Sequence, residues 1–319
     1  MIVSVILIIV GFAMLIYGAN LLVDGSSNVA KKFHIPEIII GLTIVSIGTS
    51  MPELFVSITS ALDGFPDMAI GNVIGSNVAN LLLILGMSSI VNSIAFKRET
   101  RLIEIPMCLF ITVVFMIICN MGQDVSRIDA AFLVVLFVLF IIYTIIMAKK
   151  GQQFDKEDGQ EETNEETTQS NTLKDIISII LGVVLLKLGG DFTVENAVNI
   201  ANIFNWSEKL ISVTILAVGT SLPELVTSVS AAFKGNSDIA IGNILGSNIF
   251  NMLLIIGVSA LISPITFNLS YNRDMIILLI ATVVLALFPL IPPKNEMSRM
   301  NGSIYIAIYI GYLAMLFVM

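Results

Sequence analysis

The hexapeptide GTSMPE at residues 48–53 returns as GTSLPE at 219–224, 171 residues further on. The repetition extends well past six positions. Residues 48–86 and 219–257 share 22 identities over 39 positions without a gap. Weaker matches continue upstream, pairing Gly11 with Gly182, Gly18 with Gly189, Phe33 with Phe204 and Thr43 with Thr214. Such a chain is two copies of one unit, and that constraint comes before the assignment of any single element.

Each copy lies in strongly apolar sequence. Hydrophobic residues make up 56% of the 319, and only 13% are charged, about half the share of a soluble domain. Covering the hydrocarbon of a bilayer takes about 20 apolar residues in a helix. Ten segments qualify: about 2–24, 36–61, 67–92, 103–121, 127–148, 173–196, 208–233, 238–262, 273–291 and 302–319. The first has no basic leader and no small-residue cleavage site, so it reads as a retained span. The expected fold is an all-α membrane protein of ten transmembrane helices. Residues 1–148 form one five-helix repeat, 149–172 an acidic linker and 173–319 the second repeat. Five is odd, so the second copy enters the membrane from the opposite side. Inverted repeats of this kind place a substrate site near the midplane, where interrupted helices of both halves meet.

Basic residues set the orientation. One set of connections holds Lys31, Lys32, Lys97, Arg98, Arg101, Lys149, Lys150, Lys156, Lys174, Lys234, Lys294 and Arg299, and the other holds Arg127, Lys209 and Arg273. Twelve against three puts the linker in the cytoplasm and both termini outside a cell membrane. The linker, poor in apolar residues, reads as a solvated tether and has no EF-hand spacing. The net charge of −8 says little about partners, but the lack of a basic face argues against nucleic-acid binding. Cys108 and Cys119 are roughly 16 Å apart on one helix, too far for a disulfide. With one histidine, His34, the chain offers no zinc or redox chemistry.

Glu53 and Glu224 are the anomaly. Each is deep in a predicted span, where a carboxylate costs at least a few kcal/mol, and neither motif span has an arginine. A cation from solution is the simplest partner. Pro52 and Pro223 remove a backbone donor and free the carbonyls of Gly48 and Gly219. Thr49 and Ser50 share a helical face with Glu53, as Thr220 and Ser221 do with Glu224. The second repeated motif, GNVIGSNVAN at 71–80 and GNILGSNIFN at 242–251, adds Ser76 with Asn80 and Ser247 with Asn251, four residues apart. Neutral oxygens with two carboxylates make a hard-cation site. Its charge matches one Ca²⁺, and smaller groups of the same oxygens suit Na⁺. The glycines of the second motif read first as close-packing residues.

Paired GTS-x-PE and GN-x-x-GSN segments in two five-span halves resemble the cation/Ca²⁺ antiporter superfamily, and within it the prokaryotic sodium/calcium exchangers. The resemblance implies four ion sites between helices 2, 3, 7 and 8, with Glu53 and Glu224 as central ligands for both Ca²⁺ and Na⁺. It implies hydroxyl or carbonyl oxygens from Thr49, Ser50, Thr220 and Ser221. Ser76, Asn80, Ser247 and Asn251 would line outer sites, and carbonyls near Ser46 and Ala217 would complete sodium coordination. Long, angled helices 1 and 6 would slide over this core. Asn251, where potassium-dependent relatives carry Asp, speaks against K⁺ cotransport. Gly75, where proton/calcium exchangers carry Glu, speaks against H⁺ coupling. Lys187, mid-span in helix 6, is read as snorkelling along its stem, as a tethered cation near the glutamates, or as a gating contact with another acid. The expected activity is antiport of Na⁺ for Ca²⁺ by a monomer in the bilayer, with no cofactor; H⁺ or K⁺ coupling and a cation channel are the alternatives. No nucleophile–base pair supports an enzyme.

Overall fold

The computed structural model describes residues 2–157, 172–204, 217–290 and 295–318. The start of the seventh predicted span, most of the linker and residues 291–294 lie outside the described residues. The helices are α1 (Ile2–Lys32), α2 (Glu37–Thr49), α3 (Met51–Leu62), α4 (Met68–Val91), α5 (Thr100–Met121), α6 (Arg127–Glu157), α7 (Thr172–Ile203), α8 (Leu222–Phe233), α9 (Ser237–Ile262), α10 (Leu269–Leu290) and α11 (Arg299–Val318). Among the described residues seven are long and apolar enough to cross a membrane, or eight if α2 and α3, bent by 49° at Ser50, count as one span. Three bounds differ from expectation. Helices α1 and α7 run well past residues 24 and 196, and α6 continues into the stretch expected as linker.

The repeat is visible residue by residue. Helices α4 and α9 pass through π turns at Asn80–Ile84 and Asn251–Ile255, again 171 apart. The short turns after α3 and α8 reuse one geometry, with Gly64 and Gly235 at φ 86° and 80°, a region glycine enters without penalty. Two-residue strands β1 (Ile94–Ala95), β2 (Asp124–Val125), β3 (Ile265–Thr266) and β4 (Glu296–Met297) pair across the halves, β1 with β4 and β2 with β3, both antiparallel.

Burial sorts the helices into a core and a periphery. The most apolar windows of α4 and α9 are 78% and 83% buried, whereas those of α1 and α6 are 22% buried. Apolar side chains on the outer helices, among them Ile9, Phe110, Val135 and Ile180, stay exposed, as a lipid-facing surface requires. Helices α1 and α7 cross antiparallel along glycines. A Cβ on Gly11 would lie 2.8 Å from the Gly189 carbonyl oxygen, and one on Gly18 would lie 2.9 Å from that of Gly182. Inside, α2 meets α9 equally closely, with Gly41 against Gly242. Small residues permit these approaches and bring the polar motifs of the two halves together. Cys108 and Cys119 are buried free thiols.

Candidate ion site

The local chain explains how each glutamate is presented. Ser50 (ψ 9°) and Ser221 (ψ 9°) leave helical geometry, and α3 and α8 restart at the next residue. Pro52 and Pro223 sit in the first turn of the restarted helices, where a missing N–H costs nothing. The break therefore falls at the serine. Glu53 and Glu224 consequently lie in first turns too, where the helix dipole favours negative charge. Both are 1% exposed.

The two motifs interlock. Ser50 Oγ donates to Glu224 Oε1 at 2.7 Å, and Ser221 Oγ donates to Glu53 Oε1 at 3.3 Å. Ser76 Oγ adds a contact to Glu53 Oε1 at 3.4 Å. Shifting one serine–glutamate pair by 171 gives the other, the signature of a two-fold relation between the copies. Asparagines repeat the pattern. Asn80 Nδ2 donates to Asn248 Oδ1 and Asn251 Nδ2 donates to Asn77 Oδ1, both at 3.0 Å.

What these bonds leave over defines the chemistry. Oε2 of Glu53 and of Glu224, Oδ1 of Asn80 and of Asn251, and Oγ of Ser247 are buried without a partner. Leaving a buried polar atom unpaired costs roughly 1–3 kcal/mol, more for a charged group. Oxygens of these kinds, carboxylate, amide and hydroxyl, are the ones that hard cations bind. The structure thus brings Glu53, Glu224, Ser50, Ser221, Ser76, Asn80, Ser247 and Asn251 into one buried zone. The Ser46 carbonyl accepts from Ser50 N–H at 3.0 Å. Ala217 opens a short helical turn, Ala217–Gly219. Asn77 and Asn248, outside the expected ligand set, are as buried as the ligands and hold the outer asparagines. Asn72 and Asn243 donate to Ser57 and Ser228, fixing α4 to α3 and α9 to α8. All four occupy repeated positions, but the repeat does not show the bonds that Asn77 and Asn248 accept from the other half.

The two-fold relation fails at Thr49 and Thr220 and at the helix ends around them. Thr49 is fully buried and donates to Asn243 Oδ1 at 3.0 Å. Its counterpart Thr220 instead lines a cavity of about 450 Å³ that runs past Pro52 and Pro223 to Glu195 and Asn199. On the other face α1 is tied to α8: Ser230 Oγ donates to Asn20 Oδ1 at 2.9 Å, and Lys234 pairs with Asp24 at 2.7 Å. Lys187 lines the cavity and pairs with Asp191 at 2.6 Å, a contact with another acid of its own helix.

Comparison with known proteins agrees. The sodium/calcium exchanger protein family matches residues 3–146 and 174–318. The inner membrane protein YrbG of Escherichia coli K12 is 35% identical, covering 99% of this chain and 98% of that one. The sodium/calcium exchanger MaX1 of Methanosarcina acetivorans is 31% identical over 99% of both. A structure of the sodium-calcium exchanger NCX_Mj, soaked with 2.5 mM Na⁺ and 0.1 mM Ca²⁺, superposes with a TM-score of 0.83 at 29% identity over 98% of both chains. With two matching repeats, a buried oxygen site between them and relatives of this kind along its full length, the chain belongs to the sodium/calcium exchanger family of prokaryotic cation/Ca²⁺ antiporters.

Proposed function

We propose that this protein exchanges Na⁺ for Ca²⁺ across the cell membrane by alternating access, both ions using one midplane site built on Glu53 and Glu224. The observation that carries this reading is the pair of unpartnered carboxylate oxygens, one per repeat, each glutamate braced by the serine of the other half. A Ca²⁺ ion neutralises the two charges. Sodium ions use the same carboxylates with Asn80, Asn251, Ser76, Ser247, Thr49, Thr220 and backbone carbonyls near Ser46 and Ala217. Because the ions compete for the same oxygens, one leaves as the other enters, and competition couples the fluxes. An empty site leaves two charges uncompensated in the membrane, so the unloaded protein resists switching.

The antiparallel crossing of α1 and α7, equivalent helices of the two copies, supports ten spans in two inverted repeats. With the termini outside, as the basic residues predict, the cavity beside Thr220 opens to the exterior, and the Asp24–Lys234 tie closes the cytoplasmic face. Uptake of radioactive calcium into proteoliposomes under imposed Na⁺, K⁺ or H⁺ gradients tests the assignment. Uptake follows the Na⁺ gradient and disappears in Glu53→Gln and Glu224→Gln. Equal uptake driven by pH alone or K⁺ alone overturns the sodium assignment, and flux that needs no counter-ion makes the protein a channel.

A further inference from the structure

A second cavity, of about 280 Å³, lies apart from the glutamates, where Thr100 opens one candidate span and Lys150 closes another. That position puts it at a membrane boundary, on the face whose basic residues mark it as cytoplasmic. Glu104 lines it at 1% exposure. Its Oε1 accepts from Tyr143 Oη at 3.1 Å, while Oε2 has no partner. Thr100, fully buried, brings a hydroxyl that is also unpartnered. A buried carboxylate oxygen with nothing to accept from is incomplete without a donor.

The rest of the lining says what carries that donor. Ile38 and Met147 make an apolar wall. At the rim Glu99 adds negative charge, and Lys97 and the exposed Lys150 add positive. Lys97 is held by Asp238 at 2.5 Å. Partial burial pulls the pKa of that ammonium down, but the hydrogen bond and charge of Asp238 outweigh it and hold it above its ordinary value, so it stays protonated. The site therefore asks for an N–H cation, an anion close beside it, and an apolar chain running into the bilayer. A bare divalent cation satisfies only the carboxylates and is repelled by the lysines. An anionic glycerol headgroup offers Glu104 only neutral hydroxyls, weaker donors than an ammonium. A choline headgroup has no N–H to donate.

We propose that this cavity binds the headgroup of a phosphatidylethanolamine-type lipid of the cytoplasmic leaflet. Its primary ammonium donates to Glu104 Oε2, its phosphate lies by Lys150 and Lys97, and its acyl chains follow Ile38 and Met147. The bound lipid lies against the start of α2, the helix that leads to Ser46 and Thr49.

Native mass spectrometry of the purified full chain tests this without reference to transport. The probes are dioleoyl phosphatidylethanolamine, its mono-, di- and trimethylated analogues, and dioleoyl phosphatidylglycerol. One phosphatidylethanolamine is retained about tenfold better than the trimethylated lipid, as expected for one charge-assisted hydrogen bond, and retention falls with each methyl added. Glu104→Gln loses most of that preference. Lys150→Gln weakens retention of every phospholipid but leaves the ratio intact. Equal retention of the ethanolamine and trimethylated lipids by the wild-type protein overturns the proposal. So does a Glu104→Gln protein with the wild-type ratio, or Ca²⁺ alone expelling the lipid from wild type but not from Glu104→Gln. If Glu104→Gln fails to fold, the methylation series on the wild-type chain decides alone.

Discussion

At the scale of single residues, Glu53 and Glu224 each spend one oxygen on a serine of the other repeat and keep the other free. Substitution by glutamine keeps the shape and removes the charge. Calcium flux then falls at least about a hundredfold in each variant, since a charged ligand in a low-dielectric site contributes several kcal/mol. The same substitutions raise the thermal midpoint of the ion-free protein, because one of two facing buried charges is gone. They also abolish the stabilisation by calcium, which for wild type is about 2.7 kcal/mol at a hundred times Kd. Thermal melts in chelator and in calcium check both signs, and a variant still stabilised by calcium like wild type contradicts the site. Asn248→Ala makes a second case. It strands Asn80 Nδ2, costing about 1–3 kcal/mol, so the midpoint drops and calcium binds more weakly; an unchanged midpoint contradicts the bracing role. The glutamates were legible in sequence because a repeated acid in apolar surroundings has few explanations. Asn77 and Asn248 were not, because their partners lie in the opposite repeat. Spacing of three or four along one helix cannot show a bond from residue 80 to residue 248.

At the scale of elements, the two faces of the site differ in a way the repeat makes measurable. On the closed face α1 and α8 are joined by Asn20 with Ser230 and Asp24 with Lys234. Adding or subtracting 171 carries these to Asp191 with Thr59 and Glu195 with Asp63. Asp191 and Glu195 line the open cavity on α7, and Asp63 ends α3. Where the closed face has an acid against a base, the open face has two acids. Closing it by the equivalent movement brings Glu195 toward Asp63, and like charges oppose that step. Asp63→Lys replaces repulsion by an ion pair. An exposed pair contributes up to about 1 kcal/mol, so the closed form gains about fivefold. Thiol labelling of Val198→Cys, a cavity residue, slows by at most that factor, free of background because Cys108 and Cys119 are buried. Labelling as fast in Asp63→Lys as in the parent rules out closure by that movement. The long apolar helices, seven or eight among the described residues, were legible from length alone. The extra length of α1 and α7 was not, since polar residues beyond positions 24 and 196, such as Asn28 and Asn199, broke the apolar runs. Those residues sit instead on the face turned toward the other half or the cavity. Apolar period alone could not place the bend of α2 against α3 either, because proline in a first turn is neutral and Ser50 makes the break.

At the scale of the whole molecule, charge balance sets what drives the cycle. The core presents two carboxylates, and the oxygens that surround them on Asn80, Asn251 and Ser247 are neutral. In the proposed cycle one Ca²⁺ cancels the two carboxylates, and the calcium-loaded core changes access as a neutral unit. Neutral oxygens can hold a further monovalent ion beside two that pair with the glutamates, so the sodium-loaded core carries net positive charge. The sodium half-cycle then moves charge across the membrane, worth about 2.3 kcal/mol per charge per 100 mV. Sodium influx against calcium efflux is accordingly accelerated by an inside-negative potential. Proteoliposomes clamped with a potassium gradient and a potassium ionophore show calcium release that rises steeply as the interior is made negative. Rates that ignore the clamp mean that ions are exchanged in a neutral ratio. The neutral oxygens of Asn80 and Asn251 then hold no extra sodium, and their conspicuous burial beside the glutamates serves packing of the two halves alone.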